Sequence, residues 1–159
     1  MDDYLACSDL CEEKGFVRQA ALLRAAAGEG GKVYLVVERG VEYNDEHNYL
    51  TEDYGSAPRA LFLDRAEAEQ TARLRTARRL RETPLEEFGL GTEDYTSLSE
   101  AELNRRVSQI LGTNFTLWVG DYHNSGPYPA SATDAQMIEV SALFDKLQFY
   151  YVLEVEFGG

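Results

Sequence analysis

The run Lys32-Val33-Tyr34-Leu35-Val36-Val37-Glu38 constrains the fold of this chain more than any other stretch. Aliphatic and β-branched residues occupy both alternating positions, so both pleat faces are apolar. Burying both faces requires a strand with neighbours on each side, which predicts the centre of a sheet rather than an edge. A chain of 159 residues is long enough to close one core around such a strand. We therefore read 1–159 as a single domain, with a helical hairpin over 1–31 and an α+β body over 32–159.

The remaining elements follow from spacing and punctuation. Residues 3–14 and 16–27 read as two short helices separated by Gly15, and Glu29-Gly30-Gly31 ends the pair. Gly40 closes the central strand. The polar, aromatic run 41–55 carries a short strand around Asn48–Thr51, and Ala60–Leu63 forms another after Pro58. Asp64 caps a helix over 65–82 that Pro84 stops, and its expected buried stripe, Ala66, Gln70, Leu74, Ala77 and Arg81, is thin. Two capping boxes follow, Ser99-Glu100-Ala101-Glu102 and Thr133-Asp134-Ala135-Gln136. The first opens a helix with Leu103, Val107 and Ile110 inward, ending at Gly112. The second opens one with Met137, Val140, Phe144 and Leu147 inward. Residues 115–119 alternate as a strand does. The closing run places Phe149, Tyr151, Leu153, Val155 and Phe157 on one face and Tyr150, Val152, Glu154 and Glu156 on the other. Strands and helices interleave without a regular βαβ repeat. The expected architecture is thus α+β, a small, mainly antiparallel sheet with helices packed on one face.

Charge limits the partners. Twenty-eight acids against 15 bases give a formal charge of −13, which disfavours a nonspecific grip on nucleic acid or an anionic membrane. No apolar run approaches the ~20 residues of a membrane span. Met1 is followed by Asp2 and Asp3 rather than a basic, apolar leader pattern, so the expected location is cytoplasmic. Cys7 and Cys11, four apart on an expected helix, suit buried reduced thiols better than a bridge.

Two stretches resemble known groups. Ser8-Asp9-Leu10-Cys11-Glu12-Glu13-Lys14-Gly15, with Ala21-Leu22-Leu23-Arg24, resembles the bacterial repeat-companion segment with its D-W-L-E-E-R-G type core, Leu10 and Cys11 standing where that pattern has Trp and Leu. Val33–Val36, Glu42-Tyr43-Asn44-Asp45-Glu46, Phe62-Leu63-Asp64-Arg65 and Phe149–Glu156 resemble a group of uncharacterised small bacterial proteins. Those proteins carry an E-Y-N-D-E loop and close on an F-Y-x-V-x-E-V-E strand. The resemblance implies the order of strands and helices and transfers no catalytic residue.

Three constellations invite a functional reading. Glu42, Tyr43, Asp45, Glu46, Tyr49 and Tyr54 crowd one loop region, where exposed tyrosines anchor partners and carboxylates steer them. Arg75, Arg78 and Arg79 share a helical face at i, i+3, i+4 spacing, which suits phosphate or an acidic partner. Asp45 and His47 on one loop, with Asp121 and His123 on another, would make a metal or proton-transfer site if the fold joined them. The sequence holds no G-x-S-x-G elbow, H-E-x-x-H helix, P-loop or G-x-G-x-x-G. The expectation is a noncatalytic interaction or regulatory module that needs no cofactor and takes another protein as partner. The alternative is a small metal-dependent enzyme built on the two histidine loops.

Overall fold

A computed structural model describes residues 31–43, 48–52, 56–82, 96–116 and 128–156. The elements are β1 (Lys32–Glu38), β2 (Gly40–Tyr43), β3 (Asn48–Thr51), β4 (Ala57–Phe62), α1 (Arg65–Glu82), α2 (Glu100–Leu111), α3 (Asp134–Leu143) and β5 (Tyr150–Glu156). The fold is α+β. Its contacts separate into two compact units: one contains 31–38, 58–72 and 151–156, the other 39–57 and 73–150. The expected helical hairpin over 1–31, with Cys7 and Cys11, lies outside the described residues.

The first unit is built on a three-stranded sheet in the order β4-β1-β5. β1 is the middle strand, as its two apolar faces require, with Val33 and Val37 buried on one face and Val36 on the other. Lys32, at the start of β1, pairs with Glu154 (2.6 Å) and Glu156 near the end of β5. Arg59, near the start of β4, meets Glu38 at the end of β1 at 2.7 Å. Both pairings run the strands antiparallel. Pro58 falls inside β4, which as an edge strand can spare an N–H. β5 is the other edge among the described residues, and along the face that Phe149 begins, Phe149 is buried and Tyr151 and Val155 half-buried, while Leu153 is 46% exposed. An edge strand has a neighbour on one side only, so alternation alone does not bury its residues.

The second unit has a contiguous core of Ala77, Leu80, Leu103, Val107, Met137, Val140, Phe144, Leu147 and Phe149, with Tyr128 and Ala132 at its margin. α2 starts at Ser99, whose hydroxyl accepts the Glu102 N–H at 3.4 Å, and ends at Gly112 in the left-handed region (φ 66°). The expected reciprocal half of this box gives way to a stronger competitor: the Glu102 carboxylate turns to Arg105 and Arg106. α3 has the complete box. Thr133 accepts from the Gln136 N–H, and the Gln136 side chain returns to the Thr133 N–H at 3.0 Å. The amide nitrogen of Gln136 also donates to the Ile110 carbonyl at 2.9 Å, tying the start of α3 to the last turn of α2.

Two further expectations are corrected. Residues 115 and 116, the described part of the strand predicted over 115–119, are irregular. The Ser108 hydroxyl takes the Phe115 N–H (3.0 Å) and donates to its carbonyl (2.9 Å), occupying the groups a ladder would use. The buried stripe of α1 is Ala68, Ala72, Thr76, Ala77 and Leu80, whereas Ala66 and Gln70 are exposed. Thr76 is tolerated there because its hydroxyl accepts the Tyr150 N–H at 3.2 Å.

The connection after α3 is locked by a second polar clip. Asp145 accepts the Ser97 N–H at 2.8 Å and the Ser97 hydroxyl at 2.7 Å, and these bonds hold its carboxyl below the usual aspartate range. A folded pKa below the unfolded one adds stability above the unfolded value and loses it as pH falls through the folded value. Urea midpoints of wild type should therefore fall on acidification below about pH 4 more steeply than those of Asp145→Asn. Parallel profiles would show that the clip contributes nothing.

Candidate interaction surface

β2 and β3 form a two-stranded antiparallel ribbon in the register Gly40↔Thr51, Val41↔Leu50, Glu42↔Tyr49 and Tyr43↔Asn48. β2 is an element that sequence reasoning missed, because three residues after a glycine are too few to establish alternation. Yet Val41-Glu42-Tyr43 carries that alternation. Glu42 and Tyr49 are direct cross-strand neighbours, and the Tyr49 hydroxyl donates to the Glu42 carboxylate at 2.8 Å. On the other face Leu50 packs against the core cluster, while Val41 is 46% and Tyr43 61% exposed.

The root of the ribbon is fastened. The Arg39 N–H donates to the Phe149 carbonyl at 2.9 Å, and its guanidinium bridges the Gln148 carbonyl (3.0 Å) and the Glu52 carboxylate (2.5 Å). The Ser56 hydroxyl accepts the Gly40 N–H at 3.2 Å and donates to the Thr51 carbonyl at 2.9 Å. Neither Arg39 nor Ser56 was picked out from the sequence, since a lone Arg or Ser beside a short strand gives no periodic signal. The consequence is a strand anchored at one end whose Val41 and Tyr43 side chains stay about half or more exposed on the face they share with Leu50.

Of the other residues expected at this surface, Asp45, Glu46 and Tyr54 lie outside the described residues. The same holds for His47, Asp121 and His123, and so for the whole alternative metal set. Among the described residues no three His, Cys, Asp or Glu side chains converge as a cation site would require.

The arginine face is divided. The Arg75 guanidinium lies over the Tyr150 ring at 5.9 Å from its centroid. Arg78 pairs with Asp134 at 2.9 Å, and Arg81 donates to the Ala130 carbonyl at 3.1 Å, so these two side chains join α1 to the start of α3. Arg79 is exposed. The helical spacing that places Arg75 and Arg78 together also puts them within reach of the second unit's own groups.

A shallow concavity of about 610 Å³ opens between α2 and residues 112–116. Its charged lining residue, Arg105, donates to Glu102 at 2.9 and 2.7 Å and to Gln109 at 3.1 Å. Hydrogen bonds from Arg105 and then Arg106 hold the Glu102 carboxyl down to about 2. The concavity therefore offers amides, hydroxyls and Phe115 but little uncompensated charge. Behind it the Tyr128 ring stacks on Phe115, centroids 5.1 Å apart, with a buried hydroxyl that has no hydrogen-bond partner among the described residues. Burial pushes that hydroxyl's ionisation above its ordinary value.

No family model matches the sequence, and neither the curated proteins nor the solved structures give a match. No helix among the described residues is long and apolar enough to cross a membrane. The geometry of the hairpin is consequently the strongest functional observation.

Proposed function

We propose that this protein is a noncatalytic interaction module that receives a protein partner on the β2–β3 hairpin. The observation that carries the reading is the exposure of Val41 and Tyr43 on a strand whose root is fixed by Arg39 and Ser56. A tyrosine already held on an ordered strand loses little conformational freedom on binding, and large aromatic residues dominate interface energetics. The carboxylates around it set orientation and speed of encounter.

Tyr43→Ala should leave the melting temperature nearly unchanged, because the side chain is 61% exposed. Loss of an interface anchor of this kind weakens binding by about 30-fold or more. Affinity capture with the wild-type chain, repeated with Tyr43→Ala and with Arg106→Ala on the exposed side of α2, checks it. A partner retained by Arg106→Ala and lost by Tyr43→Ala supports the hairpin. Equal recovery by all three overturns it.

A further inference from the structure

The backbone of β2 fixes which way its polar groups face. Ser56 Oγ lies 3.2 Å from the Gly40 nitrogen and 2.9 Å from the Thr51 oxygen, so those two groups point toward each other between the strands. Direction alternates residue by residue in an antiparallel pair. The N–H and C=O of Glu42 therefore also face β3, opposite Tyr49, while those of Val41 and Tyr43 face away from it. On that outer side the Arg39 N–H is taken by the Phe149 carbonyl at 2.9 Å, and beyond it no strand or loop among the described residues pairs with Val41 and Tyr43, where the ribbon has two strands.

Exposed edges are normally blunted by proline, by charge or by a cover. The edges of the other sheet show the first two devices: β4 carries Pro58 and Arg59, and β5 carries Glu154 and Glu156 tied to Lys32. β2 has an apolar residue, an acid and an apolar residue, with both apolar side chains about half or more exposed. A two-stranded ribbon is also marginal by itself and gains from a third strand.

Resting on the reading of the hairpin as the interaction surface, we propose that β2 captures an extended segment of a protein partner as a third strand, and that this segment alternates apolar and basic residues. Neighbours on adjacent strands share a face, which places apolar side chains beside Val41 and Tyr43 and a basic one beside Glu42. Between 39 and 57 the sequence sets Glu42, Asp45, Glu46, Glu52 and Asp53 against Arg39 alone, so the local charge favours a cationic segment. A second copy of the chain is the poorer occupant. Antiparallel self-pairing centred on β2 opposes Glu42 to Glu42, and each copy carries −13.

The test uses the full chain and a fluorescein-labelled Val-Lys-Val-Lys-Val-Lys peptide followed by fluorescence anisotropy. Saturable binding that weakens with added salt is expected. Two N-methylated versions of the peptide, one at the valine amides and one at the lysine amides, separate strand pairing from side-chain docking, because only one set of amides can face β2. One version should lose about tenfold or more in affinity while the other binds like the parent. Val41→Pro, which removes an outward N–H and leaves the ladder to β3 intact, should reproduce the larger loss with an unchanged circular dichroism spectrum. Failure of the peptide to bind, or equal behaviour of the two methylated peptides, overturns strand addition. If the methylated peptides behave alike but Tyr43→Ala still releases the peptide, strand addition falls while the hairpin reading stands. If Tyr43→Ala changes neither peptide binding nor partner capture, both fall.

Discussion

Replacing Phe144 by alanine should destabilise the protein by about 3–5 kcal/mol, the range for removing a buried phenylalanine and leaving part of its volume empty. Phe144 is 1% exposed and is the largest fully buried side chain among the described residues. It stands one residue beyond α3, where its N–H donates to the Ser141 carbonyl at 3.2 Å and its own carbonyl accepts the Leu147 N–H at 2.8 Å. Those main-chain bonds survive the substitution, so the loss reports packing against the core of Leu80, Leu103, Val107, Met137, Val140, Leu147 and Phe149. Against a typical total of 5–15 kcal/mol, this one change removes a large fraction of the stability. Urea titration of the two proteins checks it through the shift in midpoint at constant slope. A loss under about 1 kcal/mol would show that the site collapses or that the ring is not packed.

The core of the second unit was legible because its determinants are local. Thr133 and Gln136 sit at the spacing of a capping box, Met137 and Val140 recur at helical period, and Gly112 stops α2. Sequence reasoning failed where an outcome depends on which neighbour is present. Glu102 satisfied the capping-box pattern, yet Arg105 and Arg106, one turn on, offer charge-assisted bonds that a backbone N–H cannot match. Leu153 had the same parity as buried Phe149, but among the described residues β5 has β1 on one side only. At the candidate surface, Glu42, Tyr43 and Tyr49 were visible as a dense acidic and aromatic run. Their pairing was not, since the register that joins Glu42 to Tyr49 is set by Ser56 and Arg39 from outside the run. Arg75 and Arg78 were visible as a helical face, but helical spacing does not reveal that Tyr150 and Asp134 are waiting for them.

Leu80→Ala should cost about 2–5 kcal/mol, and Gln70→Ala should stay within about 0.5 kcal/mol. The pair decides the rotation of α1. A stripe through Leu74 would bury Gln70, since four residues make slightly more than one turn. The structure instead buries Ala68, Ala72, Thr76, Ala77 and Leu80, at 0%, 4%, 6%, 0% and 2% exposure, and leaves Gln70 exposed. Small residues along most of this stripe let other chain segments approach the helix closely, so it buries a narrow face despite carrying five arginines between 73 and 81. Leu80 is the large side chain on that face and belongs to the same core as Leu103 and Phe144, which leaves its removal no route to solvent filling. Thr76 supports the same rotation independently, because its hydroxyl reaches the Tyr150 N–H only when that side of the helix faces inward. Thermal and urea unfolding of the two variants discriminate the rotations directly. A small loss at Leu80 with a large one at Gln70 would place the helix on the face that Leu74 suggests and would withdraw Thr76 from its bond to Tyr150.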